Sequence, residues 1–291
     1  VGYEKLNARR TEWEWLLDRI FDQGKSLSAL DRCIGEEIGE LGKPAFRHRI
    51  VLGLPEAIRG QKDWGEIDGR EMDFSKEEDQ IAATKWYIGE LVERFKAAKY
   101  KHLELSGFYW VAEDTHHCEE LTIPLSEYIH SEGKLFYWIP YWQAKGHEEW
   151  KRLGFDVAYQ QPNHFFNHSS PDSRLDEACA TARRHGMAME FEFDEKATAA
   201  IPNSSHDRMA AYINHFEKND VFNSSAVAYY CGNRGVLTLD ESDNPKDKTL
   251  MDRLARIIQA RRYLKYGIPM KNKTRVVAHR GFWHTDGSAQ N

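Results

Sequence analysis

Alternating acidic residues mark one short segment of the chain as a candidate for acid–base chemistry. In MAMEFEFDE, residues 187–195, methionine and phenylalanine alternate with carboxylates at Glu190, Glu192 and Asp194. Because successive strand residues point to opposite faces, a strand here would carry all three carboxylates on one face. Burying three carboxylates in a closed core is costly, so we expect this face to line an active site. The alternative is a solvated edge strand, although the apolar residues are large and continuous for an edge.

A second carboxyl group lies near the end of an earlier apolar run, HLELSGFYWVAED (102–114), which contains Glu113. Two carboxyls across one glycosidic bond can hydrolyse it. One protonates the leaving oxygen, and the ionised one attacks the anomeric carbon or activates water. We predict Glu113 as the acid/base and Glu192 as the nucleophile. Glu104 and Glu190 are deeper substitutes in case the strand ends are shifted by a few residues.

Aromatic and amide side chains near the predicted strand ends suit a carbohydrate ligand. A sugar ring stacks its C–H faces on aromatic rings, while its hydroxyls bind polar side chains. The predicted substrate-binding residues are Trp110, Tyr141, Trp142, Tyr159, Gln160, Asn163 and Glu190. Alternatively, about half of the aromatic residues pack against helices, because alternate strand residues must point outward. A carbohydrate is the expected partner, and no cofactor is expected for this part of the chain.

Six short apolar runs, with helices between them, would position these side chains. The runs are β-branched or aromatic and end at Pro, Gly or polar clusters, as strands do. They span 49–55, 102–113, 134–142, 155–163, 187–195 and 225–233. Helical patterns cover 11–22, 27–41, 75–99 (with a capping box at Ser75 and Glu78), 147–153, 174–185, 206–218 and 247–265. Strands alternating with helices predict a parallel α/β sheet.

Two features favour a (β/α)8 TIM-type barrel over an open doubly wound sheet. Several loops after strands are long, aromatic and acidic, which is typical of function at the C-terminal ends of barrel strands. No GxGxxG follows any strand, so a nucleotide-binding fold lacks its main support. If 225–233 is the last strand, 49–55 is the third, and we expect a barrel that lacks its first two strands. Acids after strands four and seven then resemble the arrangement in the large clan of retaining β/α-barrel glycosidases.

Four long motifs resemble those of one bacterial family, domain-of-unknown-function family 4855. They are LSGFYWVAEDTHH, FYWIPYWQAKG, AYQQPNHFF and MEFEFDEKA, in that order, and the resemblance runs across about residues 1–240. The resemblance implies a glycosidase-like barrel fold and no particular reaction. The roles given to the carboxylates above therefore come from the residues themselves.

The last seventeen residues, RVVAHRGFWHTDGSAQN, are similar to the start of the glycerophosphodiester phosphodiesterase family. In that family, His-Arg-Gly closes the first strand of a β/α barrel. The resemblance implies a catalytic His279, a phosphate-binding Arg280 and a divalent metal in that second domain. Gln290 stands where the family has a metal-binding Glu, and an amide binds Mg²⁺ or Ca²⁺ more weakly than a carboxylate.

These patterns predict three parts of the chain and three candidate functions. The parts are an N-terminally incomplete barrel over 1–264, a linker over 265–274 and the fragment of a second barrel over 275–291. The first candidate function is a retaining glycoside hydrolase. The second is a glycerophosphodiester phosphodiesterase in which the first barrel is an accessory domain. The third is a sugar-binding module that kept the barrel and lost turnover.

The composition argues against some classes of partner. The net charge is −6, whereas nucleic-acid binding needs a basic face toward the phosphate backbone. No apolar run approaches the ~18 residues of a membrane span. The four cysteines lie far apart and form no metal-type pair. A location outside the cytoplasm is favoured, because both resembled families often work there.

Overall fold

A computed structural model describes residues 7–44, 46–115 and 119–266, with side chains as far as residue 261. The described chain forms two compact units. The first consists of the residues up to Trp138 together with Ala144–Val157, and the second of Ile139–Gln143 with the residues from Ala158 onward. The short segment Ile139–Gln143 therefore belongs to the second unit, although it directly follows the first.

The first unit alternates helices and strands. In chain order it contains α1 (Arg10–Phe21), α2 (Ser26–Leu41), β1 (His48–Leu54), β2 (Glu66–Ile67), β3 (Arg70–Glu71), α3 (Glu77–Ala98), β4 (Leu103–Trp110), α4 (Glu119–Ser131), β5 (Leu135–Trp138) and a 3-10 helix at His147–Glu149. Strand β4 pairs in parallel with β1 on one side and with β5 on the other. Strands β2 and β3 form a separate antiparallel hairpin.

Aromatic side chains from α1, α3 and the segment between β1 and α3 form the core of the first unit. The Trp13 ring lies edge-on to Trp64 at 5.1 Å and to Tyr87 at 5.6 Å between centroids. Phe74 packs on Trp64 at 5.5 Å. All four side chains are buried. Burial of such large rings supplies much of the hydrophobic stabilisation of this unit.

A glycine in the middle of β4 permits close pairing with β5. The register between β1 and β4 shifts at this point, because Ile50 pairs with Leu105 whereas Val51 pairs with Gly107. A Cβ atom on Gly107 would lie 2.1 Å from the carbonyl oxygen of Leu135. Only a residue without a side chain therefore fits between the two strands here.

We predict that Gly107→Ala destabilises the protein by about 2–3 kcal/mol or more, because the clash is with main-chain atoms that cannot turn away. Gly39→Ala is the matched control. Gly39 lies inside α2 with open space around it, so alanine there should stabilise by about 0.5–1 kcal/mol. Thermal unfolding of both variants checks the prediction. Equal stability of Gly107→Ala and the wild type would contradict it.

The second unit has the same alternation of strands and helices. In chain order it contains β6 (Val157–Gln160), α5 (Ser173–His185), β7 (Ala188–Phe193), a 3-10 helix at Glu195–Ala197, α6 (His206–Lys218), α7 (Val221–Ser224), β8 (Val227–Cys231), α8 (Gly235–Asp240) and α9 (Pro245–Tyr266). Strand β7 pairs in parallel with β6 and with β8, so it is the central strand. On one face of β7, Phe191 packs against Tyr212 and Phe216 of α6 and against Tyr229 of β8.

A polar cluster joins α5 to α6. The Asp176 carboxylate of α5 accepts hydrogen bonds from His215 (2.9 Å), Lys218 (2.7 Å) and Asn219 (2.6 Å) at the end of α6. Burial acts to raise the pKa of Asp176, but the three donors outweigh it, and the pKa is lowered to about 2. The ionised carboxylate therefore stabilises the folded state.

We predict that Asp176→Asn lowers the free energy of unfolding at neutral pH by about 1–3 kcal/mol. A lowered pKa means that this contribution is complete above the ordinary value of 3.8 and is lost as the pH falls toward about 2. The difference between the variant and the wild type should therefore shrink over that interval. Asp207→Asn is the control, because Asp207 lies exposed on α6. Denaturant unfolding as a function of pH tests both, and a pH-independent difference would contradict the prediction.

The sequence predicted most of these elements. All six strands and six of the seven predicted helices are present, and the parallel α/β class is confirmed. The helix predicted over 147–153 is only a three-residue 3-10 helix at His147–Glu149. Helix α4 was missed because it contains Pro124, a residue that usually interrupts a helix. The predicted capping box was wrong: no side chain caps α3, and the Ser75 hydroxyl bonds Asp73 instead.

Several predictions about the whole chain remain open. Closure into a barrel and the loss of two strands stay predictions. The proposed fragment of a second barrel at 275–291 lies outside the described residues, as does nearly all of the predicted linker. Among the described helices, none combines the length and the apolar character that a membrane crossing requires.

Candidate active site

The three alternating carboxylates lie on β7, and all of them are buried. Glu190 and Glu192 are each 3% exposed, and Asp194, just beyond the strand, is 8% exposed. Since β7 is flanked on both sides by parallel strands, the alternative of a solvated edge strand is wrong. Carboxylates buried on a central strand must be hydrogen-bonded, or the charge would be strongly destabilising.

Asp194 has a structural contact that sets it apart from the other two carboxylates. It lies at the N-terminus of the 3-10 helix, and its side chain accepts a hydrogen bond of 2.8 Å from the main-chain N–H of Lys196. Gly235 packs so closely that a Cβ atom there would lie 2.9 Å from the Asp194 carbonyl carbon. Burial raises the pKa of Asp194. Asp194 is therefore a helix cap in a tightly packed turn.

Glu192 is held by two donors from different elements. The hydroxyl of Tyr212 on α6 donates to Oε2 of Glu192, and the main-chain N–H of His164 donates to the same oxygen at 3.4 Å. Complete burial raises the pKa of Tyr212 well above its ordinary value, and the negative charge of Glu192 adds to the effect. Tyr212 thus stays protonated and acts as a hydrogen-bond donor at all physiological pH values.

The His164 ring is also buried beside the carboxylate. Its Nε2 lies 2.8 Å from Oδ1 of Asp172, and its ring contacts Tyr212 edge-on at 5.4 Å. Burial lowers the pKa of His164, with Asp172 acting in the opposite direction. The imidazole is therefore neutral at pH 7, and its Nε2–H donates to the Asp172 carboxylate.

Exposed aromatic rings lie beside Glu192. Tyr230 of β8 is the direct register partner of Glu192, and residues paired in this way share a face of the sheet. Tyr230 is 46% exposed and Phe166 is 48% exposed, and their rings pack edge-to-face with 5.8 Å between centroids. On the other neighbouring strand, the half-buried Tyr159 pairs with Ala188 and so lies on the face of Glu190.

The side-chain amide of Gln160, a predicted substrate-binding residue, donates to main-chain carbonyl groups. It is completely buried. Its Nε2 lies 3.2–3.4 Å from the carbonyl oxygens of Pro140, Tyr141 and Gln161. These contacts hold the segment Ile139–Gln143 against the end of β6.

Asn163 and Trp142 are also fixed by contacts within the protein. Asn163 has a left-handed backbone (φ 50°), and its Oδ1 accepts a hydrogen bond of 2.5 Å from the Trp142 N–H. The Arg174 guanidinium lies over the Trp142 ring at 5.3 Å. Tyr141, by contrast, is 37% exposed. Of this group, Tyr141 is therefore the side chain that is most accessible to a ligand.

Three predicted residues belong to the first unit. Trp110 is buried and packs edge-on to Phe136 at 6.1 Å, so its ring belongs to the local core. Glu113 is exposed in the bend after β4. Glu104, its predicted substitute, is exposed near the start of β4. The pairing of Glu113 with Glu192 in one reaction stays a prediction.

The predicted second-domain residues, His279 and Arg280, lie outside the described residues. Within the described ranges, no group of three or more His, Cys, Asp or Glu side chains is placed to hold a metal ion.

Sequence reasoning missed His164, Phe166, Tyr212 and Tyr230. Tyr230 lies in a predicted strand, but only the pairing register shows that it is beside Glu192. Tyr212 lies in a predicted helix, and nothing in the helical pattern indicates that its hydroxyl reaches a strand carboxylate.

We predict that Asp194→Asn is at least as stable as the wild type at pH 7, by up to about 1 kcal/mol. A raised pKa means that folding disfavours the ionised form, so this group destabilises the folded state increasingly as the pH rises above 3.8. Asparagine keeps the Oδ1 acceptor for Lys196 and removes the charge. Asp194→Ala, which loses the cap, should cost about 0.5–2 kcal/mol. Thermal unfolding at pH 4 and pH 7 measures both effects; a clear loss of stability in Asp194→Asn at pH 7 would contradict the prediction.

The chain is similar to known proteins at the level of family and weakly at the level of fold. A family model described as "Domain of unknown function (DUF4855)" matches residues 1–256. No curated protein matches the chain. A Bacteroides thetaiotaomicron crystal structure described as a "putative alpha-L-fucosidase" aligns with a TM-score of 0.40 and 14% identity, over 61% of this chain and 61% of that chain. The alignment spans less than two thirds of the fucosidase chain, and a likeness of this size carries no argument about activity.

Proposed function

The chain belongs to the DUF4855 family, and we propose that it is a carbohydrate-active hydrolase that cleaves glycosidic bonds with Glu192 as the nucleophile. One observation carries this proposal. Glu192 is a buried carboxylate, hydrogen-bonded by Tyr212, and its partner in the adjacent strand is the exposed ring of Tyr230. A fixed anion beside an exposed aromatic surface suits a sugar ring whose anomeric carbon becomes electron-poor during cleavage.

The proposed chemistry uses Glu192 in its ionised form. The ionised carboxylate attacks the anomeric carbon, and the bond to the leaving oxygen breaks as a proton is delivered to that oxygen. The product of this step is a glycosyl ester of Glu192. Water then attacks the same carbon, gives up a proton to the general base and releases the carboxylate. The net reaction consumes one water molecule for each glycosidic bond.

The proton donor is proposed from the sequence to be Glu113. It is exposed in the bend after β4. After it protonates the leaving oxygen, the same carboxylate can take a proton from the water that attacks the ester. Glu104 is the predicted substitute for Glu113, and Glu190, two residues before Glu192 on β7, is the predicted substitute for Glu192.

Aromatic side chains supply the proposed binding surface. Tyr230 is the exposed register partner of Glu192, and the exposed Phe166 ring packs against it. Tyr141 is a further exposed ring of the second unit. A pyranose ring packs its C–H groups on such rings, while its hydroxyls bind polar side chains.

We predict that Glu192→Gln reduces turnover of 2,4-dinitrophenyl glycosides by at least about 10⁴-fold, because the amide cannot act as the nucleophile. A panel of such glycosides first identifies the sugar that the wild type cleaves. A 2-deoxy-2-fluoro analogue of that sugar should then trap the ester on Glu192, and mass spectrometry of the digested protein locates the label. Glu177→Gln is the control, because Glu177 is an exposed carboxylate on α5.

The role of Glu113 has its own test. Dinitrophenolate leaves without protonation, so Glu113→Gln should form the ester but hydrolyse it about 10²–10⁴-fold more slowly. Added azide should accelerate turnover of this variant, since an anionic nucleophile needs no general base. Label on another carboxylate, or normal turnover by both Glu113→Gln and Glu192→Gln, would show the assignment to be wrong. Saturable glycan binding by a wild type that hydrolyses no glycoside would favour a sugar-binding module.

A further inference from the structure

One arginine of α6 binds three main-chain carbonyl groups of the loop that follows β6. The Arg208 guanidinium donates to the carbonyl oxygen of His164 from Nε at 3.1 Å and also from Nη2. Its Nη2 further donates to the carbonyl oxygens of Asn167 at 2.9 Å and Ser170 at 3.1 Å. We call this set of contacts the Arg208 clamp and the segment it holds loop 164–170.

Loop 164–170 carries two groups that contact the proposed site. The main-chain N–H of His164 donates to Glu192, and the Phe166 ring packs against Tyr230. The loop lacks a strand or helix of its own. Two main-chain turn hydrogen bonds, from Asn167 N–H to the His164 carbonyl and from Ser170 N–H to the Asn167 carbonyl, act together with the side-chain contacts to fix its conformation. The carbonyl of His164, which belongs to the residue that donates to Glu192, is the one bound twice by Arg208.

The same helix also binds Glu192 directly. Tyr212 follows Arg208 by four residues, and residues at this spacing lie on one face of a helix. Tyr212 donates to the carboxylate while Arg208 holds the loop that provides the second donor. One face of α6 thus carries Tyr212, which donates to Oε2 of Glu192, and Arg208, which holds the loop that donates to the same oxygen.

We infer that Arg208 is a positioning residue for Glu192, which acts by holding the His164 amide and the Phe166 ring of loop 164–170 in place. A planar guanidinium can serve several carbonyl acceptors at once, whereas a lysine ammonium offers one compact centre. The clamp itself rests on the hydrogen bonds alone. Its consequence for turnover rests on the proposed function.

The clamp is tested without any substrate by amide hydrogen exchange in the full chain. Arg208→Ala should accelerate exchange at residues 164–170 by about tenfold or more, because hydrogen bonds from a charged donor are lost. Guanidinium ion at a non-denaturing concentration should restore slow exchange. Arg208→Lys, which keeps the charge, should protect the loop only in part and serves if the alanine variant does not fold.

Arg183→Ala is the matched control. Arg183 also donates to one main-chain carbonyl in this unit, that of Asn219 at 2.7 Å, but it does not contact loop 164–170. This variant should leave exchange in the loop unchanged. Wild-type exchange rates for the loop in both Arg208 variants would overturn the inference. Acceleration that is uniform over the second unit and is not reversed by guanidinium would overturn it as well, because it would indicate a general loss of stability.

The catalytic consequence is tested on the glycoside that the wild type cleaves. Arg208→Ala should lower kcat by about 10–100-fold with a smaller change in KM, since a misplaced site loses more in the transition state than in binding. Guanidinium should restore part of kcat, and Arg183→Ala should behave as the wild type.

A normal kcat in Arg208→Ala, with loop exchange accelerated, would overturn the positioning role. If the wild type cleaves no glycoside, the proposed function fails, and the exchange experiment still decides whether the clamp holds the loop.

Discussion

A carboxylate buried on a central strand is the constraint on which the second unit depends. Glu192 is almost completely removed from water, and the lost hydration must be replaced by hydrogen bonds if the side chain is to remain ionised. The main-chain N–H groups of a sheet serve mainly to pair its strands. The donors come instead from a helix, through Tyr212, and from a loop, through His164.

This requirement links the interior of the unit to its surface. Tyr212 packs its ring on Phe191 in the apolar core while its hydroxyl reaches Glu192 on the other face of β7. The loop donor is fixed by Arg208, which stands on the same helix. Hydrophobic packing therefore sets the position of α6, and α6 sets the polar contacts around the carboxylate. A change in core packing would be transmitted to the site through this helix.

The carboxylates that alternate along β7 have the same spacing in the sequence but different surroundings in the structure. Asp194 and Glu192 are two residues apart and both buried, yet their contacts differ. Asp194 caps a short helix and packs against Gly235, which leaves little space for a ligand. Glu192 instead has an exposed aromatic residue as its register partner. The surroundings of the two carboxylates differ because of their positions in the sheet. Asp194 lies in the turn after β7, whereas Glu192 lies within β7 beside the exposed Tyr230 of β8.

The sequence by itself determined the strands, most helices and the placement of three carboxylates on one face of β7, because periodicities of two and of about 3.6 residues report local structure directly. The burial of that face is shown only by the structure. The sequence also indicated the family through contiguous motifs. It could not determine which side chains meet Glu192. Tyr212 is twenty residues away along the chain, Tyr230 is on another strand, and the Arg208 contacts are with main-chain carbonyls that any residue provides. The neighbours of Glu192 were decided by strand register and by the docking of α6 on the sheet. Both depend on the packing of segments that are distant in the chain, which hydrophobic periodicity does not report.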